Sequence, residues 1–493
     1  MADYDLAIIG GGLNGVCMAR DAAGRGLRVI LLEQGDLAGA ASSATSRLIH
    51  GDLAVLERRR VRRVRAALAE RTTWLAIAPH LVRPWRFAIP AHADERTPGL
   101  LRLGLLLYDR LGPRSGSLPA SETLDVTHHP LGVALKRPFG TIFEYSDCLA
   151  DDSRLVVLTA VDAAARGADI RTGARCVRIE RGSFWRLSVV DRGHRRPITT
   201  RALALAAGAW TPTLMETLLR MPPPRAPAVQ VSQIIVPRLF DPDNVYVLQN
   251  SDQRLIYASP FERDFTLIGS VSRAFKGDPA IVAVDARDVA YLCDAASRYF
   301  RDPLSPSDVI RTVSGANLVA GTEAEDGAIS FDAKGGKAPL IAVLGGGLTT
   351  ARRRAERAVS RLTPFYPMTP RWTAQAPLPG GAFAWDKFEN EVDAARERWP
   401  FLTEPQAQRL VGAYGTQLAD VLGEAKDRAA LGPAFGSELT AAEVRYLMAR
   451  EWARFPEDVL WRRTKLGLTM QPADRDALAA FMADATPSTT QAR

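Results

Sequence analysis

The sequence predicts an α/β fold that carries an inserted antiparallel sheet and a helical domain after it, and three observations predict this. Residues 5 to 33 run through an apolar strand, a glycine turn, a helix-compatible stretch and a second apolar strand, which is one βαβ unit. Residues 229 to 270 hold short β-rich runs, VQVSQIIVP, NVYVLQ, RLIYASP and FTLIGS, broken by Asp, Asn and Pro. From about residue 380 the pattern turns helical, as in AAEVRYLMAREWARF, after the Pro- and Gly-dense stretch APLPGGAF.

The first strand ends at Gly10-Gly11-Gly12-Leu13-Asn14-Gly15, and the next ends at Glu33. Gly10 permits the tight turn, Gly12 lets backbone approach a pyrophosphate, and Gly15 lets helix and strand pack closely. The helix N-terminus adds free N–H groups and partial positive charge, and Glu33 can accept from an adenosine ribose. The expected ligand is a dinucleotide. Later buried strands at about 201 to 206 and 339 to 344 also run toward glycine, as strands of a parallel sheet ending at a ligand do. The sheet is thus assembled from distant segments. The expected layout is one oxidoreductase domain over 1–375, with nucleotide-binding parts at about 1–75, 146–228 and 310–375 and substrate-domain parts at about 76–145 and 229–309. A helical domain over 380–484 and a polar, disordered tail over 485–493 complete it.

With 493 residues, 47% of them hydrophobic, the chain can fill several cores. The start, MADYDLAIIGGG, has no basic and apolar leader pattern, and no apolar run approaches the ~18 residues of a spanning helix. Cys17, Cys148, Cys176 and Cys293 lie far apart without a Cys-x-x-Cys pair, so neither a disulfide framework nor a metal site is expected, and a reducing cytoplasm fits. The net charge of +8 is carried mostly by arginine and is compatible with anionic substrates, lipid headgroups, nucleic acid or, as the default, an arginine-rich proteome.

Three further glycine-bearing segments select FAD over NAD as the dinucleotide. A flavin dinucleotide is long and stays bound, so remote segments touch it again: EQGDLAGAASS after Glu33, AAGAW at 206 to 210, and GGGLTT at 345 to 350. In the last of these, backbone N–H groups at a strand-to-helix junction can stabilise negative charge on the reduced flavin. The expected contacts are Gly10, Gly12, Asn14, Gly15, Glu33, Ser42, Ser43, Ser46, Arg47, Val177, Gly208, Gly345, Gly346, Leu348 and Thr349.

Almost end to end the chain resembles the FAD-dependent glycerol-3-phosphate dehydrogenase family. The motifs are IIGGGLNG, DAAGRGL, SSATSRLIHG, FEYSDC with DDSRLV, IIVPR, YVLQN, FKGDP, GGKAPL, LTPFYP, YLMAREWAR and DVLWRRTKLGL. The resemblance implies a membrane-associated enzyme that oxidises sn-glycerol 3-phosphate to dihydroxyacetone phosphate and reduces ubiquinone. It also implies a flavin domain, a substrate domain built on an antiparallel sheet, and a helical C-terminal cap. The departures fall at the substrate. Where the family has Gly-Gly-Leu-Arg-Tyr this chain has Gly51-Asp52-Leu53-Ala54-Val55, and Ser-Gly-Val-Arg-Pro is Ser314-Gly315-Ala316-Asn317-Leu318. Gly-Gly-Lys-Leu-Thr-Thr is Gly345-Gly346-Gly347-Leu348-Thr349-Thr350, and Gly-Thr-Thr-Asp is Gly269-Ser270-Val271-Ser272. Two phosphate arginines and a lysine are missing. At about 1.5 to 3 kcal/mol per charge-assisted bond, losing both arginines costs about 3 to 6 kcal/mol, or roughly 10² to 10⁴ in affinity. Arg47, Arg273 and the arginines of 58 to 65 are the candidates to compensate.

His50 is the expected base, able to take a hydroxyl proton while the carbon-bound hydride moves to flavin, with packing beside the ring as its other reading. Glu144, Ser270 and Asn317 are the expected substrate contacts, Glu144 by holding a polyol hydroxyl. RRRVRRVR at 58 to 65 reads as a helix with one apolar face, Val61, Val64 and Leu68, and a basic face that is solvated or, as the second reading, meets an anionic membrane surface. No aromatic stacking residues accompany it, which argues against nucleic acid. GLLRLGLLLYDRLG at 99 to 112 suits either core packing or shallow insertion into the inner face of a membrane. Quinone is the expected acceptor, and a homodimer is open. Three functions follow: a glycerol-3-phosphate dehydrogenase with a rebuilt clamp, a flavin dehydrogenase for another polyol or hydroxy acid, and a silent FAD-binding scaffold.

Overall fold

The computed structural model describes residues 2–53, 60–91, 98–113, 118–126, 129–136, 139–241, 243–320 and 327–485. Ala54, Val55, Arg58 and Arg59, and all of the expected tail except Ala485, lie outside the described residues.

The first sheet has eight strands. Along its path lie Ala328–Asp332, Leu340–Leu344, His194–Leu205, Tyr4–Ile9, Val29–Glu33 and Asp169–Thr172, all parallel except the first, while Ala174–Arg181 and Trp185–Asp191 add a hairpin to His194–Leu205. Side chains alternate across a strand, so Tyr4–Ile9 sends Leu6 and Ile8 to one face and Ala7 and Ile9 to the other. On the first face Leu6 and Ile8 join a core with Val16, Val156, Leu158, Ala351 and Ala355, from the helices Leu13–Gly24, Asp152–Ala165 and Ala351–Val359. On the second, Ala7 and Ile9 meet Trp185, Leu187 and Val189 of the hairpin. Burial on both faces is why these strands are apolar throughout rather than alternating.

The register fixes the functional edge. Ile9 pairs with Leu205 and Leu205 with Ala342, so Gly10, Gly208 and Gly345 follow neighbouring parallel strands at their carboxyl ends.

The second sheet has nine strands in the order Arg311–Leu318, Ala228–Pro237, Phe265–Ala274, Leu255–Phe261, Val245–Gln249, Val82–Ala91, Thr141–Ala150 and Leu48–Ile49, with Glu122–Asp125 also on Thr141–Ala150. It is antiparallel except where Val245–Gln249 runs parallel to Val82–Ala91. Leu48–Ile49 and Arg311–Leu318, from segments expected with the nucleotide sheet, are paired here instead. The second sheet therefore takes two strands from nucleotide-binding segments.

Beyond residue 380, helices Phe388–Arg398, Glu404–Tyr414, Leu418–Leu422, Ala441–Arg450 and Pro472–Ala485 enclose their own core of Val392, Leu410, Val444, Leu447 and Leu478. Buried ion pairs fasten this domain to the first sheet's layer. Arg154 Nη2 donates to Glu451 Oε1 at 2.9 Å and to the Ala413 carbonyl at 2.7 Å, and Lys465 Nζ reaches Asp151 at 2.5 Å. Among the described residues no helix is long and apolar enough to cross a membrane.

Candidate active site

The glycine turn is a cradle that side chains would fill. Gly10 has φ +117°, and a Cβ there would lie 2.5 Å from the Ala206 carbonyl oxygen. A Cβ on Gly15 would fall on the carbonyl of Gly10, and one on Gly12 would sit 2.9 Å from Ser42 Oγ. Ser42 Oγ accepts from Leu13 N at 3.1 Å, holding the loop after the second strand over the helix N-terminus. Glu33 Oε2 accepts from Gly11 N at 2.6 Å and Oε1 from Gly35 N at 2.7 Å. Burial pushes this carboxyl up, while the two N–H groups favour its charged form. Each oxygen keeps a lone pair for a ribose hydroxyl.

From this turn a cavity of about 720 Å³ runs past Gly12, Asn14, Ser42 and Gly208 to Gly346, Gly347, Leu348 and Asn317. Its shape and glycine-lined floor fit an extended dinucleotide: bare backbone where a pyrophosphate needs close approach, a carboxylate at the ribose end, N–H groups at the far end. Of the expected contacts, Gly10, Gly12, Asn14, Glu33, Ser42, Gly208, Gly346 and Leu348 line it. Gly15 lies behind the turn, and Gly345 carries φ +63° against the Leu318 carbonyl. Val177 sits at a bulge of Ala174–Arg181 beside Cys176, which lines the cavity while Val177 does not. Ser46 is half-buried in the same loop. Ser43 and Arg47 line a second cavity of about 520 Å³ across that loop, with Gln233, Arg311, Trp461 and Lys465.

A cation that the sequence reading overlooked stands at the flavin end. Arg354, buried, donates from Nε to Asn14 Oδ1 at 2.9 Å, from Nη1 to Thr350 Oγ1 at 3.0 Å and from Nη2 to the Gly347 carbonyl at 3.0 Å. Asn14 Nδ2 in turn donates to the Gly345 carbonyl at 3.2 Å. The turn that lacks a lysine at position 347 is thus braced by an arginine seven residues later. A signal existed: helical side chains lean toward the N-terminus, so an arginine in the first turn of Ala351–Val359 reaches back to the glycine turn. Gln233, also overlooked, is buried and donates from Nε2 to the carbonyls of Ala44 at 3.1 Å and Thr45 at 2.9 Å, tying the cofactor loop to the second sheet.

His50 follows the short strand Leu48–Ile49, and its backbone N–H donates to Thr349 Oγ1 at 3.1 Å, which joins this position to the 345–350 turn, though neither residue is on the wall of either cavity. Arg47 and Asp52 flank it with φ +61° and +62°, and a left-handed backbone at non-glycine residues costs roughly 1 to 2 kcal/mol each and clusters at functional sites. Gly51 N donates to Tyr108 Oη at 2.7 Å, Tyr108 Oη donates to Asp147 at 2.7 Å, and Arg71 Nη1 pairs with Asp147 at 2.6 Å. Burial pushes the Asp147 carboxyl up against the opposing pull of Arg71 and His50. Asn317 lines the first cavity, its Oδ1 accepting from Leu318 N at 2.9 Å.

Glu144 is placed within the second sheet. Its side chain is buried between strands, Oε2 accepting from Arg86 Nε at 2.8 Å and Oε1 from Asn244 Nδ2 at 2.7 Å, and it lines neither cavity. A carboxylate so paired holds strands together. Ser270 is the extra residue of a bulge between Phe265–Ala274 and Ala228–Pro237, half-buried and likewise off both cavity walls. Of the compensating arginines, Arg273 pairs with Asp288, and Arg47 donates from Nε to the Ala150 carbonyl at 2.8 Å and stacks over Phe261. Arg62 and Arg65 are exposed on the helix Val61–Ile77, whose buried face holds Val64 and Leu68 but not Val61.

The nucleotide end has a wall that no motif predicted. Trp452, Arg454, Phe455, Glu457, Asp458 and Arg462 of the C-terminal domain share the first cavity with Glu33, Gly35, Gly173 and Cys176.

Comparison with known proteins gives names to this arrangement. Residues 5–357 match the model of the FAD dependent oxidoreductase family, and residues 371–487 that of the C-terminal domain of alpha-glycerophosphate oxidase. The chain is 42% identical to a glycerol-3-phosphate dehydrogenase of Pseudomonas aeruginosa, covering 97% of this chain and 95% of the relative. It is 40% identical to a D-erythritol 1-phosphate dehydrogenase of Brucella abortus, covering 98% of each. The glycerol-3-phosphate dehydrogenase of Bacillus halodurans, solved in complex with FAD, superposes with a TM-score of 0.78 at 22% identity over 98% of this chain and 90% of that one.

Proposed function

Because this chain belongs to the FAD-dependent glycerol-3-phosphate dehydrogenase family, we propose that it oxidises a secondary hydroxyl of a three- or four-carbon polyol phosphate to the ketone and delivers the electrons to quinone. FAD, when bound, supplies the hydride acceptor. The residues suited to hold it are those of the glycine turn, Glu33, Ser42 and the 345–350 turn.

The chain's own residues carry the rest. His50, whose backbone N–H is tied to Thr349 Oγ1 of the 345–350 turn, is the group to receive the hydroxyl proton on its imidazole as the carbon–hydrogen bond breaks, so that proton and hydride leave the carbinol by separate routes. Helix-terminal N–H groups at 345–350, braced by Arg354, favour negative charge at the turn without the lysine.

The observation that carries the substrate reading is Asn317. A neutral amide lines the cavity where the related proteins' motif has arginine, so the phosphate is gripped weakly while amide donors and acceptors suit an additional hydroxyl. A relative that acts on D-erythritol 1-phosphate is in keeping with that reading. The test is anaerobic mixing of the holoprotein with glycerol 3-phosphate, D-erythritol 1-phosphate, glycerol and erythritol, following flavin bleaching. The expected result is bleaching by the phosphate esters alone, with half-saturation by glycerol 3-phosphate above the micromolar range. Bleaching by none of the four, with bleaching by dithionite, would instead identify a silent scaffold.

Attachment to the inner face of a membrane belongs to the same reading. The helix Pro98–Leu111 buries Leu105 and Tyr108 but leaves Leu100, Leu103, Leu106 and Leu107 between 43% and 69% exposed, with Arg102 and Arg110 beside them. An outward leucine ridge edged by arginine suits shallow insertion among anionic headgroups.

A further inference from the structure

We propose that the C-terminal domain closes the nucleotide end of the cofactor site, with Phe455 as the stacking platform for the adenine of FAD. The proposal rests on FAD as the cofactor and is independent of the substrate.

Phe455 is 64% exposed, unusual for a phenylalanine, yet it lies on the cavity wall that also holds Glu33, Gly35 and Gly173. Glu33 marks the ribose, so the base attached to that ribose lies at this end. Two other rings line the cavity, Trp210 after the strand His194–Leu205 and Trp452 beside Phe455, whereas the sheet residues Thr172, Gly173, Ala174, Arg175 and Cys176 at this end bring none. Phe455, the most exposed of the three, comes from the C-terminal domain.

The segment that presents Phe455 is held in place. Asp458 Oδ2 accepts from Arg454 N at 2.8 Å and from Phe455 N at 2.9 Å, and its other oxygen pairs with Arg462. Arg462 Nε reaches Asp36 Oδ2 at 2.5 Å, and Arg463 grips the same carboxylate from Nη1 and Nη2 at 2.6 and 2.8 Å. Asp36 lies three residues after Glu33. A chain of charge-assisted bonds thus runs from the ribose turn to the backbone of Phe455. Beside it, a Cβ on Gly173 would collide with the guanidinium of Arg454, so glycine at φ +68° is what lets that side chain lie against the turn. Gly173 N in turn donates to the Gly35 carbonyl at 2.9 Å. Trp452 enters the segment at φ +57°, a conformation a bulky residue adopts only when its surroundings impose it.

Purified holoprotein, freed of flavin and reloaded with FAD or with FMN, which lacks the adenosine half, tests this. Phe455→Ala is expected to raise the dissociation constant of FAD about tenfold, within the range that aromatic stacking on a base contributes, and to leave that of FMN within about twofold. Phe455→Leu, which keeps apolar volume without a ring, is expected to follow Ala, and Phe455→Trp to retain FAD. Equal losses for FAD and FMN, unchanged FAD affinity in Phe455→Ala, or full affinity in Phe455→Leu would each overturn the proposal.

Discussion

Replacing Asn317 by arginine returns a cation to the point where the strand Arg311–Leu318 meets the cavity. The substitution forfeits the bond from Leu318 N to Asn317 Oδ1, 2.9 Å long and at a half-buried position, which costs about 1 kcal/mol. A guanidinium on a phosphate ester gains about 1.5 to 3 kcal/mol. The cost of the lost bond falls on folding, since the bond is missing from the free and the substrate-bound variant alike, so the affinity gain is the full amount of about 1.5 to 3 kcal/mol, or roughly 10- to 160-fold. Anaerobic stopped-flow bleaching against rising glycerol 3-phosphate measures it, with glycerol as the control that lacks the phosphate. Half-saturation is expected to fall by that factor for the ester and to stay put for glycerol. An unchanged value for the ester, or an equal gain for glycerol, refutes the assignment of this wall to the phosphate.

Other outcomes follow from the same geometry. Gly15→Ala drives a methyl onto the Gly10 carbonyl, so the variant is expected to purify without flavin colour, read by its visible absorbance. Arg354→Leu removes three bonds around the 345–350 turn, and the sulfite dissociation constant of the flavin is expected to rise about tenfold, with Arg354→Lys in between. Burial pushes the Asp21 carboxyl up to about 6, against the pull of Arg25. Its folded value exceeds the unfolded value of about 3.9, so this group costs stability as pH rises from about 4 to about 6. Asp21→Asn is therefore expected to gain about 1 to 3 kcal/mol over wild type at pH 8 and little at pH 4, measured by thermal melts at both. Leu103→Glu with Leu107→Glu removes half of the exposed leucine ridge, and co-sedimentation with anionic vesicles at low salt is expected to fall several-fold while flavin content is retained.

Local pattern and tertiary placement divide this protein cleanly. The glycine turn, Glu33 and the first βαβ unit were legible because backbone conformation, apolar period and glycine spacing all reside in about thirty consecutive residues. The 206–210 and 345–350 segments were legible for the same reason, as glycine at the ends of apolar strands. The helical pattern after residue 380 came from contiguous periodicity.

What the tertiary structure decided depends on partners far apart in the chain. Glu144 looks like a free polar contact in FEYSDC until Arg86 and Asn244, 58 and 100 residues away, claim its oxygens. Arg354 sits in a run of three arginines with no motif around it, and only the fold of the helix onto Asn14, 340 residues earlier, turns it toward the cofactor turn. Arg311–Leu318 is apolar enough for either sheet, and hydrogen-bond pairing with Ala228–Pro237 assigned it to the second. Phe455 reached the nucleotide cavity through Asp458, Arg462 and Asp36, a connection spanning more than 400 positions. Sequence specifies conformation where the determining interactions are local. Which buried charge meets which partner is set by packing, because desolvation makes every such group bind whatever complementary group the fold brings within reach.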